Sequence, residues 1–140
     1  MNGYMQIALD EARKAYNLGE VPIGAVCVYN DKVISKGHNL IERKKDASGH
    51  AEMIVLKKAS KKLKNWRLDG VELYVTVAPC IMCSGYILNS RVSKVIYGAD
   101  NPNFSGINLL KDKIEIVSGV EVAEARELMQ SFFEERRGNK

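Results

Sequence analysis

Two short motifs constrain this chain more than any other feature: His50-Ala51-Glu52, and further along Pro79-Cys80-Ile81-Met82-Cys83. They supply three metal ligands, His50, Cys80 and Cys83, and one carboxylate, Glu52, that the ligand set does not need. A structural zinc site closes with four protein ligands, whereas a catalytic one uses three and keeps a position for water. A zinc ribbon needs a second cysteine pair, and the only other cysteine is Cys27. A dithiol redox reading leaves His50 and Glu52 without a purpose. The pattern therefore points to one catalytic Zn2+. Iron is the alternative metal, although a thiolate-rich set favours zinc.

The spacings have local reasons. Two cysteines at i and i+3 on a helix share a face. Proline is favoured at a helix start, so Cys80 is expected near a helix N-terminus, where the dipole favours the thiolate. His50 is expected to open another helix, with Ala51, Ile54, Val55, Ala59 and Leu63 as its apolar stripe. Met5 to Tyr16 recurs at helical spacing up to Gly19, which predicts a helix over 3–18. Ile23 to Tyr29 and Lys32 to Lys36 flank the turn pair Asn30-Asp31 and predict a hairpin. Asn39 to Gly49 reads as a polar connector. Strands are expected at 71–77, 94–97 and 114–117, and helices from Cys80 to about Asn89 and over 121–137. In the last helix Val122, Ala125, Leu128, Met129, Phe132 and Phe133 point inward. Strands alternating with helices predict an α/β fold, a mixed sheet covered by helices on both faces, with the metal motifs where loops enter helices beside strand ends.

The 140 residues match the size of one domain, taken as 1–140. Three cysteines, two of them assigned to metal, suit a reducing compartment. Asp10, Glu11, Arg13 and Lys14 interrupt any N-terminal apolar core, and no run is long enough to span a bilayer. A cytoplasmic protein without a membrane partner is expected. The net charge of +4 is unevenly placed: residues 32–67 hold eleven Lys or Arg against three acids. That stretch fits a phosphate-backbone partner or a solvated lysine-rich face.

The chain resembles the zinc-dependent cytidine deaminase-like superfamily and, within it, the bacterial tRNA-specific adenosine deaminases. The likeness rests on Glu20 to Val26, Gly37-His38-Asn39, His50 to Met53, Trp66-Arg67-Leu68, Leu73 to Thr76, Pro79 to Cys83, Ser90-Arg91, Tyr97 to Asp100 and the terminal Phe132-Phe133 with Arg136-Arg137. It implies a three-layer α/β/α fold with a five-stranded sheet and a homodimer whose subunits both shape the sites. It also implies a tRNA anticodon stem-loop as partner, hydrogen bonding of the target nucleotide by Asn39, and a grip on the anticodon loop by Phe133, Arg136 and Arg137. The chain departs from the family in two places. Ala78 stands where relatives usually have Glu, and the segment from Asn101 to Lys113 is shorter. The compact Asn103-Phe104 loop is more like deaminases of a free base or nucleoside such as cytosine or guanine, which is the alternative function.

Zinc-activated water plus a nearby carboxylate is the arrangement that deaminates nucleobases. Glu52 takes the water proton, passes it to the ring and protonates the leaving amine, turning adenosine into inosine. The N–H groups near Ala51 and Cys80 are placed to steady developing charge. A non-catalytic zinc partner would be expected to lack Glu52. Among single residues, Cys27 reads as small core or reactive thiol, and His38 as a packing residue rather than a ligand. Trp66 reads as an anchor for the next strand or a stacking platform, and Phe104 as a lid or a loop anchor. Phe132 and Phe133 cannot both be core at adjacent helix positions. Arg136-Arg137 suits a helix C-terminus or phosphate.

Overall fold

The computed structural model describes residues 3–138. Helix α1 (Tyr4–Asn17) leads into β1 (Gly24–Tyr29) and β2 (Lys32–His38), then α2 (Ile41–Lys44) and α3 (Ala51–Leu63). β3 (Glu72–Val77), α4 (Ile81–Asn89) and β4 (Lys94–Ala99) follow, then α5 (Ile107–Leu110), β5 (Glu115–Val117) and α6 (Val122–Gly138). The five strands form one sheet in the order β2-β1-β3-β4-β5. β1 runs antiparallel to both β2 and β3, while β3, β4 and β5 are mutually parallel. Asn30 and Asp31 have φ of 50° and 62°, the two positive values that a two-residue turn matching strand twist requires.

Alternation along the strands divides the core between two faces. Ala25, Cys27, Leu73, Val75, Val95 and Tyr97 meet Val55, Leu56 and Ala59 of α3, Ile87 of α4 and Leu110 of α5. Val26, Val28, Tyr74 and Ile96 meet Met5, Ala8 and Leu9 of α1 and Ala125 of α6. Gly24 lets α1 lie directly on the sheet, because a Cβ there would stand 1.9 Å from the Ala8 carbonyl oxygen. Polar side chains bind α1 to α6: Arg13 to Glu124, Gln6 to Glu121 and Tyr16 to Glu135.

The expected mixed sheet with helices on both faces is the one observed, and the long elements agree with the sequence reading to within a few residues. Four details differ. The polar connector contains α2, whose first N–H groups are capped from a distance: those of Glu42 and Arg43 donate to the buried Glu20 carboxylate at 3.1 and 2.8 Å. The segment 101–113 contains α5. Trp66 is not an anchor; it is 61% exposed, and Leu68 and Val71 fill the core positions beside it. Pro79 precedes the N-cap Cys80 instead of sitting inside the helix. No described helix is long and apolar enough to cross a membrane.

Candidate active site

Two helix N-termini converge beside the carboxyl ends of β3 and β4. His50 is the N-cap of α3 and Cys80 the N-cap of α4, both in extended conformation. Ligand atoms of His50, Cys80 and Cys83 lie within 4.8 Å of one another, and His50 Nδ1 is 3.7 Å from Cys80 Sγ. Tetrahedral zinc with bonds of roughly 2.0–2.3 Å holds neighbouring donors about 3.5–3.8 Å apart. One nitrogen and two sulfurs at these separations therefore fit zinc, with Nδ1 as the nitrogen facing the thiols.

The electrostatics agree with a metal-ligand set. The hydrogen bond from the Cys83 thiol brings Cys80 down to about 4. The same bond pushes Cys83 up. Contact with Cys80 raises His50. The backbone N–H of Cys83 also donates to Cys80 Sγ at 3.5 Å. Cys80 thus favours the thiolate, and the proton on Cys83 must leave when a metal takes both sulfurs. Burial pushes the Glu52 carboxyl up to about 7, which suits a group that must accept and return a proton near neutral pH.

The turn carrying Cys80 is held by the segment after β4. Gly106 N–H donates to the Pro79 carbonyl at 2.8 Å, and Ser105 bridges Cys80. A Cβ on Gly106 would lie 2.5 Å from Ser84 Oγ and 2.7 Å from the Cys80 carbonyl oxygen. The His50 turn is held from β2: Ala51 N–H donates to Asn39 Oδ1 at 2.8 Å.

A cavity of about 920 Å³ opens above these groups. His50, Glu52, Cys80 and Asn39 lie on its walls, Phe104 and Asn101 come from the β4–α5 loop, and Arg126, Gln130, Phe133 and Arg137 come from α6. The structure therefore brings Glu52, His50, Cys80, Asn39, Phe133 and Arg137 to one cavity, with Cys83 buried among the ligands. Two expected binding residues lie elsewhere. Arg136 donates to the Gly19 carbonyl at 2.6 Å and stacks over Phe132 at 4.5 Å, so it ties α6 to the α1–β1 turn. Ala51 is fully buried and its N–H is already taken by Asn39. The amide of Asn39 is correspondingly half committed: its oxygen serves α3, and its nitrogen is what a ligand can use. His38 is not a ligand; Nδ1 lies 3.0 Å from the Asn39 carbonyl oxygen. Phe132 is buried and Phe133 is 42% exposed, so adjacent positions on α6 serve the core and the cavity. Sequence reading missed Arg126 and Gln130. Their signal was spacing, since 126, 130, 133 and 137 recur every three or four residues on one helical face.

The sheet order, the paired helix N-termini and the His/Cys/Cys group with a buried carboxylate are those of the cytidine deaminase-like class. Residues 1–137 match the family model described as MafB19-like deaminase. The chain is 46% identical to the tRNA-specific adenosine deaminase of Bacillus subtilis (strain 168), a match covering 98% of this chain and 91% of that one. A solved structure from a study of A-to-I editing by tRNA:A34 deaminases at the wobble position of transfer RNA superposes with a TM-score of 0.87. It is 35% identical, and the match covers 91% of this chain and 99% of that one. A guanine deaminase from Nitrosomonas europaea shares the fold, with a TM-score of 0.84 at 22% identity, over 94% of this chain and 83% of that one. The chain belongs to the tRNA-specific adenosine deaminase family.

Proposed function

We propose that the protein hydrolyses adenosine to inosine, releasing ammonia, at the wobble position of a tRNA anticodon loop. The observation that carries this reading is a buried Glu52 beside the His50, Cys80 and Cys83 group in one cavity. The names of the relatives at high identity support the substrate. His50 Nδ1 and the Cys80 and Cys83 sulfurs would hold one zinc ion. When bound, zinc supplies a Lewis acid that lets water react as hydroxide near neutral pH.

The chain's own residues do the rest. Glu52 accepts the water proton and delivers it to the ring nitrogen next to the carbon under attack. It then carries a proton to the amine as the C–N bond breaks and ammonia leaves. Asn39 donates from its amide nitrogen to an acceptor on the nucleotide. An anticodon loop is single-stranded, so the target base leaves its stack at low cost. Phe133 and Arg137 on the rim suit stacking and phosphate contact with flanking nucleotides. Ile81 and Met82 on the outer face of α4 are 62% and 42% exposed, which supports burial against a second copy in a homodimer.

The test is ammonia and inosine formation by zinc-loaded protein. The substrates are an anticodon stem-loop with wobble adenosine, and free cytosine, guanine, adenine and their nucleosides. Conversion of the stem-loop alone is expected. Turnover of a free base without the stem-loop would overturn the proposal and establish the free-base alternative.

A further inference from the structure

A second groove, of about 750 Å³, runs along the outer side of α3 from Gly49 to Trp66. Lys57, Lys61 and Lys64 follow one another at i, i+4 and i+7, so they share one helical face. Lys44 joins them from α2. The only carboxylate on the groove wall is Asp46, and it accepts from both the N–H and the hydroxyl of Ser48 at 2.8 Å. Among the described residues no lysine of this groove is in a salt bridge; the ion pairs involve Arg13, Lys14, Arg67 and Lys94. Like charges four residues apart weaken a helix. Asp46 feels the charges of Lys57 and Lys44, but one carboxylate against Lys44, Lys57, Lys61 and Lys64 leaves this face net positive.

The far end of the groove is closed by Trp66, 61% exposed, with Arg67 stacked 5.7 Å from its ring centroid. Basic side chains leading to an open aromatic ring form the pattern that tracks a nucleic-acid backbone and stacks a base. The near end begins at Gly49, and the next residue, His50, lines the catalytic cavity. The groove and the cavity thus adjoin at the Gly49–His50 peptide. The thirteen residues of α3 extend about 20 Å, the reach of several nucleotides. A free base carries no phosphate for such a surface, and an acidic peptide has no base for Trp66.

We propose that the Lys57–Lys61–Lys64 face of α3, with Trp66 at its end, is a second RNA-binding surface that holds the sugar-phosphate backbone of the tRNA beyond the nucleotides in the cavity. The identity of that RNA rests on the function proposed above. The lysines act as point charges on phosphates and Trp66 as a stacking platform, so the two contributions respond differently to salt.

The experiment compares the zinc-loaded wild type with Lys57→Gln/Lys61→Gln/Lys64→Gln and Trp66→Ala. A control, Lys32→Gln/Lys111→Gln/Lys113→Gln, removes equal charge from exposed positions elsewhere. Glutamine keeps helix propensity and relieves repulsion, so the α3 variant should fold at least as well as the wild type. Binding of full-length tRNA is measured across a salt series, and inosine formation is measured on saturating anticodon stem-loop. The α3 variant is expected to bind tRNA about tenfold more weakly at low salt, with a log–log salt slope shallower by about 2 to 3. Its turnover at saturation should stay within about twofold of the wild type, as should all properties of the control. Trp66→Ala should weaken binding while leaving the slope unchanged. Equal slopes for the α3 variant, the control and the wild type would overturn the proposal even where inosine forms normally. If the wild type makes no inosine but the α3 variant still loses the salt slope on tRNA, the surface stands and the catalytic reading fails.

Discussion

Glu52 is a carboxylate buried to 3% exposure beside the Cys83 and Cys80 sulfurs, a position that stability alone does not favour, because burial penalises its charge. Glu52→Gln preserves shape and removes the proton carrier. We expect zinc content by metal analysis to be unchanged and turnover to fall at least about 100-fold; near-full activity would remove Glu52 from the chemistry. Cys27 poses the opposite case. It is fully buried in β1, and burial pushes its thiol up to about 12 from an ordinary value of 9.0. The folded chain therefore holds this proton more tightly than the unfolded chain does. The associated stability is intact below about pH 9 and is lost as the pH rises toward 12. The slope approaches about 1.4 kcal/mol per pH unit. Denaturant titrations at pH 8 and pH 10 should show a smaller alkaline loss for Cys27→Ala than for the wild type, and native Cys27 should resist alkylation. Arg136 and Arg137 show how fine this scale is: one residue of helix, about 100°, separates a structural tie from a cavity wall.

Among the elements, α2 and α5 have four residues each, too few to be stable alone. Both exist because something distant fixes them, which is why the sequence pattern gives no sign of them. The Glu20 carboxylate supplies the cap for α2, although Glu20 lies more than twenty residues before the helix it serves. For α5 the fixing contact is Gly106 against the Cys80 turn. Gly106→Ala places a Cβ against backbone as well as the Ser84 hydroxyl, so it should cost about 1–3 kcal/mol and weaken zinc binding through Cys80. Adding Ser84→Ala removes only the hydroxyl contact. Thermal melts should therefore show partial rescue; full rescue would mean that the backbone contacts are not limiting. The long elements were legible from simple local signals: α1 and the core side of α6 from helical spacing, β3 and β4 from short apolar runs buried on both faces, and the hairpin from Asn30-Asp31. Trp66 was misjudged because size suggests burial, whereas Leu68 and Val71 take the core positions next to it.

For the whole molecule, the metal group joins the ends of two helices that belong to different parts of the sheet. Removing zinc should therefore affect more than the site. With the metal a thousandfold above its dissociation constant, the fold gains about 4 kcal/mol, so a chelator should lower the melting temperature by roughly 10 °C. Metal binding displaces the proton that Cys83 retains, so affinity should fall as pH falls. Calorimetry in buffers of different ionisation enthalpy should detect release of at least one proton near pH 7. The convergence of His50, Cys80 and Cys83 was readable from residue types and spacing. The commitments of Asn39 and Ala51 were not, because a side-chain oxygen facing a neighbouring N–H is a property of the assembled turn.

His50 arrives from the antiparallel hairpin half of the sheet, and both cysteines arrive from the parallel half. The seam between the halves is the β1–β3 ladder, in which Ala25 faces Val75 and Val26 faces Tyr74. A slip of one residue along that ladder would turn every side chain to the wrong face and would carry the histidine away from the thiols. A chain emerging from the ribosome thus cannot form a complete metal centre until the two halves have joined in the correct register. A complete set of ligands is therefore a property of the correctly registered sheet, and a misregistered copy lacks the three donors together.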